Sequence, residues 1–278
     1  MILLLWTGGI MALLLGVLLF FIAPGKMSPE TKLSAKKFYG LNCAHRGLHT
    51  EDQTVPENSM SAFIAARDKG YGIEVDVQLS KDGKVIAFHD FDLRRACGVD
   101  GLVKNMNWAE LSKLSLFNTD ETIPLLSGVL DAVGATPVIV ELKPIGKNYA
   151  ELCQKTLDVL RENGQHWCIE SFDPRIVAWF KKNAPTVLRG QLSCSPDKFE
   201  VITAFASFIF GYLLTNFLSR PHFIAYCVGL HPLTTRLCRL FKPMNMVWTV
   251  TPKVGIEHYQ SRNDTVIFEY YNPPPRFK

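Results

Sequence analysis

Two histidines and two carboxylates, with an arginine beside the first histidine, stand close together early in the chain. In sequence order they are His45, Arg46, Glu74, Asp76 and His89. Histidine titrates in the range that suits a general acid or base, so two histidines can serve a reaction that needs both. Hard divalent cations such as Mg²⁺ and Ca²⁺ prefer oxygen ligands, which carboxylates supply. These residue types therefore fit acid/base catalysis beside a divalent cation.

The segments that carry these residues predict two strands. Leu41 to His45 is a short apolar run that stops at Arg46-Gly47, which indicates a strand followed by a turn. Ile73 to Leu79 alternates apolar and polar residues, which is typical of a second strand. Side chains two residues apart on a strand share one face, so Glu74 and Asp76 lie about 7 Å apart on the same side.

The chain around the second strand predicts a helix before it and a hairpin after it. Asn58 or Ser59 can cap the helix, which ends near Gly70. Asp82-Gly83 is a strong hairpin signal, and Lys84 to Phe88 forms the return strand. The return strand delivers His89 close to the end of the strand that carries the two carboxylates.

Six short motifs occur in order from Leu41 onward. They are HRG, PEN, E-x-D-V, KDG, the HD after the return strand, and the E-L-K of Glu141 to Lys143. In this order and spacing they resemble the signature of the glycerophosphodiester phosphodiesterase family, and the resemblance runs to the C-terminus. It implies a TIM barrel that hydrolyses glycerophosphodiesters to an alcohol and glycerol 3-phosphate with the help of a divalent metal cation, Mg²⁺, Ca²⁺ or Mn²⁺.

The resemblance also implies roles for individual residues. His45 and His89 form the acid/base pair, with the assignment between them open. Glu74, Asp76 and Glu141 match the family's metal ligands, and a carboxylate inside the apolar run PVIVELK would be costly to bury without a partner. From their side-chain chemistry, Arg46 as a planar fork and Lys143 as a point charge are expected to bind the substrate phosphate; an ion pair with a ligand carboxylate is the alternative for Lys143. Glu57 of PEN is either a further ligand or a residue that supports the ligands.

The order of predicted elements agrees with a TIM barrel. Strand-like runs lie near residues 41, 73, 138, 167, 187, 223, 246 and 265, mostly separated by helical segments, which is the (β/α)8 pattern. The Lys84–Phe88 run is too close to Leu79 for a crossover to a parallel neighbour. It is therefore predicted as a hairpin above the rim of a barrel that spans residues 39–278.

The N-terminal region predicts a membrane anchor. Ile2 to Ala23 contains 22 residues without a charge, enough at about 1.5 Å per residue to cross a bilayer core. A signal peptide is the rival interpretation, but the run has no basic residue before it. Residues 1–24 are predicted as a single-pass transmembrane helix and residues 25–38 as a basic linker. Because the lysines follow the span, the barrel is expected in the cytoplasm.

Cysteine usage agrees with that placement. The chain has seven cysteines, none of them in a C-x-x-C pair. Cys43, Cys168 and Cys227 fall in apolar, strand-like runs, so buried free thiols are expected rather than disulfides or metal ligands. Free thiols favour a reducing compartment.

A second uncharged run, Val201 to Ser219, lies between the fifth and sixth predicted strands. A single membrane crossing there would separate the last three strands from the barrel. Residues 199–219 are therefore a helix packed on the barrel, a helix in the membrane interface, or a re-entrant hairpin about Gly211. Together with the anchor, this run suggests a membrane-held substrate and lysophospholipase D-type hydrolysis of lysophospholipids to lysophosphatidic acid.

Other observations limit the alternatives. The net charge of +4 is mild and argues against a nucleic-acid partner; the expected partners are a phosphodiester substrate and the lipid bilayer. A degenerate, membrane-tethered lipid-binding scaffold would have lost a histidine or carboxylate, and all of them are present. The segment VIFEYYNPPP replaces the family's common I-T-D ending, although Glu269 within it could still face the barrel.

Overall fold

A computed structural model describes residues 2–199 and 203–278, with side chains from residue 6 onward. The strands are β1 Leu41–Ala44, β2 Gly72–Leu79, β3 Val85–Ala87, β4 Val138–Leu142, β5 Trp167–Ser171, β6 Arg189–Ser193, β7 Phe223–Cys227, β8 Met244–Val250 and β9 Thr265–Phe268. The α-helices are α1 Ile2–Ile22, α2 Pro29–Ala35, α3 Met60–Asp68, α4 Arg94–Cys97, α5 Trp108–Leu111, α6 Leu126–Val133, α7 Tyr149–Asn163, α8 Pro174–Asn183, α9 Ala204–Gly211, α10 Asn216–Ser219, α11 Leu233–Arg239 and α12 Ile256–Gln260.

The parallel strands close into a barrel. The order around the sheet is β1-β9-β8-β7-β6-β5-β4-β2, and β1 pairs in parallel with both β9 and β2. Only β3 is antiparallel among the described strands; it pairs with the carboxyl half of β2, where Val77 faces Ala87 and Leu79 faces Val85. The eight predicted strands and the hairpin after the second strand are therefore confirmed.

Alternation along the strands separates two apolar layers. Residues such as Val75, Val140 and Ile169 point outward and pack beneath the helices. Residues such as Cys43 and Ile139 point inward and fill the amino-terminal half of the barrel interior. We call this inward apolar layer the apolar floor. The next inward position after Cys43 and after Ile139 is polar, so a polar layer lies above the floor at the carboxyl end, where TIM barrels bind their substrates.

The predicted membrane anchor is wrong. Within residues 2–199 and 203–278, the structure contains no helix that is both long enough and apolar enough to cross a membrane. Helix α1 forms over most of the predicted span, but its last turns pack on the barrel: Ile22 is buried, and its carbonyl accepts a hydrogen bond from Asn216 Nδ2 at 2.9 Å. Part of the apolar run thus covers protein. The single-pass membrane localisation with a cytoplasmic barrel, which depended on this span, is corrected with it.

The predicted basic linker contains helix α2, which lies at the amino end of the barrel. Thr31 Oγ1 donates a hydrogen bond to the carbonyl of Thr186 at 2.9 Å, just before β6 begins. Ala35 and Phe38 are buried in the apolar floor. Segment 25–38 therefore packs against the barrel along much of its length.

The second uncharged run forms two short helices, α9 and α10, separated by Leu213 in a left-handed conformation (φ 59°). The first two residues of the run, 201 and 202, lie outside the described residues. Ser193 Oγ and Tyr226 Oη donate hydrogen bonds to the carbonyls of Phe210 and Gly211, which attaches the end of α9 to β6 and β7. A Cβ on Gly211 would approach the Pro196 ring to 2.8 Å and the Cys194 carbonyl oxygen to 3.0 Å, so this close approach requires glycine.

The cysteines follow the prediction. All seven are free, and Cys43, Cys168 and Cys227 are buried, as expected from their apolar surroundings. Burial raises the pKa of the Cys43 and Cys168 thiols, which keeps both in the neutral form.

Candidate active site

Three carboxylates converge at the carboxyl end of the barrel. Glu74 and Asp76 lie on β2, and Glu141 lies on β4 directly across from Asp76. All three are buried, and one oxygen from each lies within 4.8 Å of the others. The convergence predicted from the sequence is therefore present.

The charges of the cluster are unevenly balanced. Burial and the neighbouring charges of Asp76 and Glu141 raise the pKa of Glu74 well above its usual value. Burial alone would also raise the pKa of Asp76, but Lys143, His89 and Arg46 outweigh it and hold that pKa well below its usual value. Like charges close together in a buried site call for a further positive group.

The cluster fits a divalent cation. Glu74 Oε1 and Asp76 Oδ1 are buried and accept no hydrogen bond from the described residues. Buried acceptors without donors are costly unless another group satisfies them. An all-oxygen set of carboxylates suits Mg²⁺, Ca²⁺ or Mn²⁺ better than a soft metal.

Arg46 and Lys143 lie against the carboxylates. The Arg46 backbone N–H donates to Glu74 Oε2 at 3.0 Å, and its Nε lies 3.2 Å from Asp76 Oδ2. Lys143 Nζ lies 3.4 Å from Asp76 Oδ1 and 3.5 Å from Glu141 Oε1. The alternative weighed for Lys143, an ion pair with a ligand carboxylate, is thus present, and the Arg46 and Lys143 side chains both lie against the cluster.

His45 follows β1 and reaches the cluster. Its Nε2 lies 3.7 Å from Glu74 Oε2. Its Nδ1 lies 2.5 Å from Glu269 Oε1, at the end of β9. The two ring nitrogens therefore face different partners, one in the cluster and one behind it.

His89 follows β3 and is held from two sides. Its Nδ1 lies 2.6 Å from Asp90 Oδ1. The Gln78 Nε2 group donates to the carbonyls of Phe88, His89 and Asp90 at 2.9, 3.1 and 2.8 Å. Gln78 thus joins the end of the hairpin to the inner face of β2.

Glu57 lies outside the three-carboxylate cluster and between two arginines. Its Oε1 accepts from Arg46 Nη1 at 2.8 Å and from Arg95 Nη2 at 2.6 Å. Burial alone would raise the pKa of Glu57, but the hydrogen bond from Arg95 and the charges of Arg46 and Arg95 lower it to about 2. Of the two predicted roles, the contacts favour support of Arg46 over direct ligation.

Asn58 is a site residue that the sequence reasoning missed. Ser59 caps α3, accepting from the Ala62 N–H, and leaves Asn58 free for another role. Asn58 Nδ2 donates to Asp76 Oδ2 at 2.9 Å, and its Oδ1 accepts from the Asp76 N–H at 3.3 Å. The PEN motif therefore fixes the central carboxylate from outside the strand, and its position before the cap was the available signal.

Glu170 is a fourth buried carboxylate, also missed. It lies on β5 across from Glu141, and its Oε2 accepts no hydrogen bond from the described residues. Burial and the charges of Glu141 and Asp76 raise the pKa of Glu170 well above its usual value. A carboxylate within an apolar run is the same signal that singled out Glu141, so the sequence contained it.

We expect the cation-free Glu170→Gln variant to have a larger free energy of unfolding than the unmodified protein at about pH 8. This difference between the two proteins should shrink as the pH falls toward about 4.5. The folded protein keeps a proton on Glu170 that the unfolded chain releases above its ordinary pKa. The free energy of unfolding of the unmodified protein therefore falls by about 1.4 kcal/mol for each unit that the pH rises, until the pH passes the raised pKa of Glu170. Urea unfolding in EDTA at several pH values measures this, with the exposed Glu162→Gln as control. A pH-independent difference would contradict the expectation.

Comparisons with known proteins agree with one another. A profile described as the glycerophosphoryl diester phosphodiesterase family matches residues 45–205. A glycerophosphodiester phosphodiesterase of Caldanaerobacter subterraneus subsp. tengcongensis is 33% identical over 163 residues, covering 55% of this chain and 66% of that protein. A rat protein named lysophospholipase D GDPD1 is 31% identical over 140 residues, covering 46% of this chain and 43% of that protein. The matches thus span less than two thirds of these curated relatives.

Solved structures show the same fold. An Oleispira antarctica phosphodiesterase in complex with the product sn-glycerol-3-phosphate superposes with a TM-score of 0.69 and 22% identity, covering 85% of this chain and 95% of that one. A glycerophosphodiester phosphodiesterase from Thermotoga maritima gives a TM-score of 0.63 and 24% identity, covering 83% and 94%. At this level of identity the superpositions establish the barrel and its extent.

Proposed function

Because the chain belongs to the glycerophosphoryl diester phosphodiesterase family, we propose that it hydrolyses glycerophosphodiesters to an alcohol and glycerol 3-phosphate. One observation carries the proposal: three buried carboxylates converge at the carboxyl end of the barrel, and His45 Nε2 lies 3.7 Å from one of them. The charges of His45 and His89 both help to lower the pKa of Asp76, which places the two rings within electrostatic reach of the cluster.

Glu74, Asp76 and Glu141 would hold a divalent cation, Mg²⁺, Ca²⁺ or Mn²⁺. When bound, such a cation neutralises an anionic phosphodiester and makes a bound water or hydroxyl more acidic. The buried Glu74 Oε1 and Asp76 Oδ1, which accept no hydrogen bond from the described residues, support this assignment. Asn58 keeps Asp76 in place through both ends of its amide.

Arg46 and Lys143 would bind the non-bridging oxygens of the phosphate. Arg46 Nε lies 3.2 Å from Asp76 Oδ2 as an ion pair, but its N–H makes no hydrogen bond with the described residues. Glu57 holds the other end of the guanidinium, which limits the orientations of the group before the substrate arrives. Lys143, directly after β4, would add a point charge.

His45 and His89 would divide the proton transfers. One removes the proton of the nucleophile, and the other protonates the leaving alkoxide. Each ring is held at Nδ1 by a carboxylate, from Glu269 and Asp90, so Nε2 is the nitrogen left for the reaction. The nucleophile is either water or the substrate's own 2-hydroxyl, and the second route passes through a cyclic phosphate.

Product analysis tests the proposal. Purified protein receives glycerophosphocholine, glycerophosphoethanolamine and glycerophosphoglycerol with Mg²⁺, Ca²⁺, Mn²⁺ or EDTA. Cation-dependent release of glycerol 3-phosphate supports the proposal, and a transient cyclic phosphate assigns the 2-hydroxyl as nucleophile. Cyclic phosphate as the final product would indicate a phospholipase C-like reaction instead. No turnover with any cation would reject the enzyme and favour the lipid-binding scaffold.

An exposed apolar surface favours a second candidate, lysophospholipase D-type hydrolysis. We call it the apolar rim: Phe205 and Phe208 on α9, and Leu230 and Leu233 after β7. Phe205 and Leu230 are 76% and 87% exposed. Both segments meet the turn at residues 195–198, because Ser195 Oγ donates to the Leu230 carbonyl and Gly211 lies against Pro196. This rim lies beside the mouth of the barrel, where an acyl chain or a lipid surface would support a lipid phosphodiester.

We expect a Phe205→Ser, Leu230→Ser variant to lose about tenfold in kcat/KM on lysophosphatidylcholine, since burying one large apolar side chain contributes roughly 1.5–3 kcal/mol. Turnover of glycerophosphocholine should stay within about twofold, because that substrate has no acyl chain to contact the rim. Leu240→Ser is the matched control: Leu240 is 72% exposed but follows α11, at the opposite end of the barrel. Equal losses on both substrates would reject the role of the rim.

A further inference from the structure

Glu269 is placed behind His45 by the closure of the barrel. β9 and β1 are parallel neighbours, and Phe268 lies across from Ala44. Glu269 and His45 are the next residues on these two strands, so both side chains enter the barrel at one level. The two residues are 224 positions apart in the chain, yet the Oε1–Nδ1 distance is 2.5 Å.

Two backbone hydrogen bonds fix this pair. The His45 N–H donates to the Phe268 carbonyl at 3.0 Å, and the Glu269 N–H donates to the Val250 carbonyl at 3.0 Å. Both residues are thereby attached to the closed sheet, and neither lies on a free loop. A side chain held on such an element keeps its geometry better than one on a loop.

The surroundings of Glu269 keep its carboxylate charged. Burial alone would raise the pKa of Glu269, but the hydrogen bond and charge of His45, with smaller contributions from His49 and Arg46, lower it. His49 Nε2 lies 3.8 Å from the same Oε1, and the His49 ring packs edge-on against Tyr270 at 5.3 Å between centroids. Burial lowers the pKa of His49, and its ring limits the space around Glu269.

We propose that Glu269 is the positioning residue of His45. Its carboxylate accepts the Nδ1–H of the imidazole, which selects one tautomer and one ring orientation. Nε2 then carries the lone pair and faces Glu74 and the cation-binding cluster. Which nitrogen of a histidine carries the proton is set by the hydrogen bond that the other end of the ring makes.

His89 provides a comparison within the same site. Asp90, its carboxylate partner, also accepts two hydrogen bonds from Arg95, at 2.6 and 3.0 Å. Glu269 has no such arginine bonded to it in the described structure, so its hydrogen bonding is directed at His45. Removing Glu269 should therefore free the His45 ring, whereas Asp90 belongs to a larger ion-pair network.

The inference rests on the proposed function only where activity is measured, and a first experiment avoids activity altogether. Long-range proton–nitrogen NMR of histidine-labelled protein, assigned with His45→Ala, reports which ring nitrogen is protonated. We expect the Nδ1–H form for His45 in the unmodified chain. We expect Glu269→Gln to abolish that preference, while the exposed Glu257→Gln leaves it unchanged. An unchanged His45 spectrum in Glu269→Gln would overturn the proposal even if the enzyme assignment is correct.

A second experiment uses turnover of glycerophosphocholine. Glu269→Gln should lower kcat by about 100-fold and leave KM within about twofold, since proton transfer and not substrate binding is affected. Glu269→Asp keeps the charge but is one methylene shorter, so it should recover part of the lost kcat. A raised KM with unchanged kcat, or no recovery by aspartate in a variant that unfolds at the same urea concentration, would overturn the proposal. Absence of turnover in the unmodified chain would reject the enzyme and leave the NMR result to decide on Glu269.

Discussion

Asp76→Asn is expected to abolish cation binding and to lower kcat/KM by more than about 100-fold. Losing a residue that only supports a metal ligand costs up to about 100-fold, so losing a ligand itself should cost more. Asp76 is the centre of the charge arrangement: Arg46 and Lys143 both lie against it, and Asn58 bonds to it twice. The amide removes a ligand charge and leaves two buried cations with less compensation. Arg46 keeps Glu57 as a partner and Lys143 keeps Glu141, so the variant should lose less stability than the roughly 3–5 kcal/mol expected when a buried charge is left unpaired.

Titration calorimetry with Mg²⁺, Ca²⁺ and Mn²⁺ measures the first part of this expectation, and kinetics well below the unfolding midpoint measure the second. Asp131→Asn is the matched control, because Asp131 is exposed on α6, outside the barrel. Undiminished cation binding by Asp76→Asn would place the metal away from Glu74 and Glu141. Full activity without cation binding would show that the reaction does not use a cation at this cluster.

His45→Ala and His89→Ala are each expected to lower turnover of glycerophosphocholine by about 10²–10⁴-fold, the usual contribution of a general acid or base. The two variants should differ on a p-nitrophenyl diester of glycerol phosphate. This leaving group departs without a proton, so the variant that lacks the general acid should recover most of its rate. The variant that lacks the general base should not, which assigns the two roles.

His166→Ala controls for the loss of an imidazole, since His166 precedes β5 at the amino end of the barrel. Recovery of both variants on the activated substrate would mean that neither histidine acts as the base. Recovery of neither, with KM raised in both, would indicate that the rings bind substrate and leave proton transfer to other groups.

Local patterns predicted much of the fold because they report directly on burial. Alternation from Ile73 to Leu79 put Glu74 and Asp76 on one face of the strand, and in the structure their side chains converge. The Asp82-Gly83 pair predicted the hairpin, and Gly83 has the positive φ of 74° that such a turn requires. These signals need only neighbours in sequence, so a single chain is enough to read them.

Contacts that depend on barrel closure could not be predicted in the same way. The Glu269–His45 pair joins the last strand to the first, and no local pattern specifies that meeting. The N-terminal run shows a related limit. Hydropathy reports how apolar a segment is, but it does not distinguish a segment buried in lipid from one packed against protein. Ile22 and its neighbours pack on the barrel, and that packing depends on α10 and α11, far along the chain.

Of the two predicted acid/base groups, His89 alone is carried by the antiparallel hairpin; His45 directly follows a barrel strand. The carbonyls of Phe88, His89 and Asp90 all accept hydrogen bonds from one side-chain amide, that of Gln78. Separation of β3 from β2 would withdraw the imidazole and leave the three carboxylates in place. Such sub-global opening requires less free energy than unfolding the barrel. If His89 acts as proposed, loss of catalytic competence and loss of native structure are therefore separable events, and a molecule could be inactive while still folded with its three carboxylates converged.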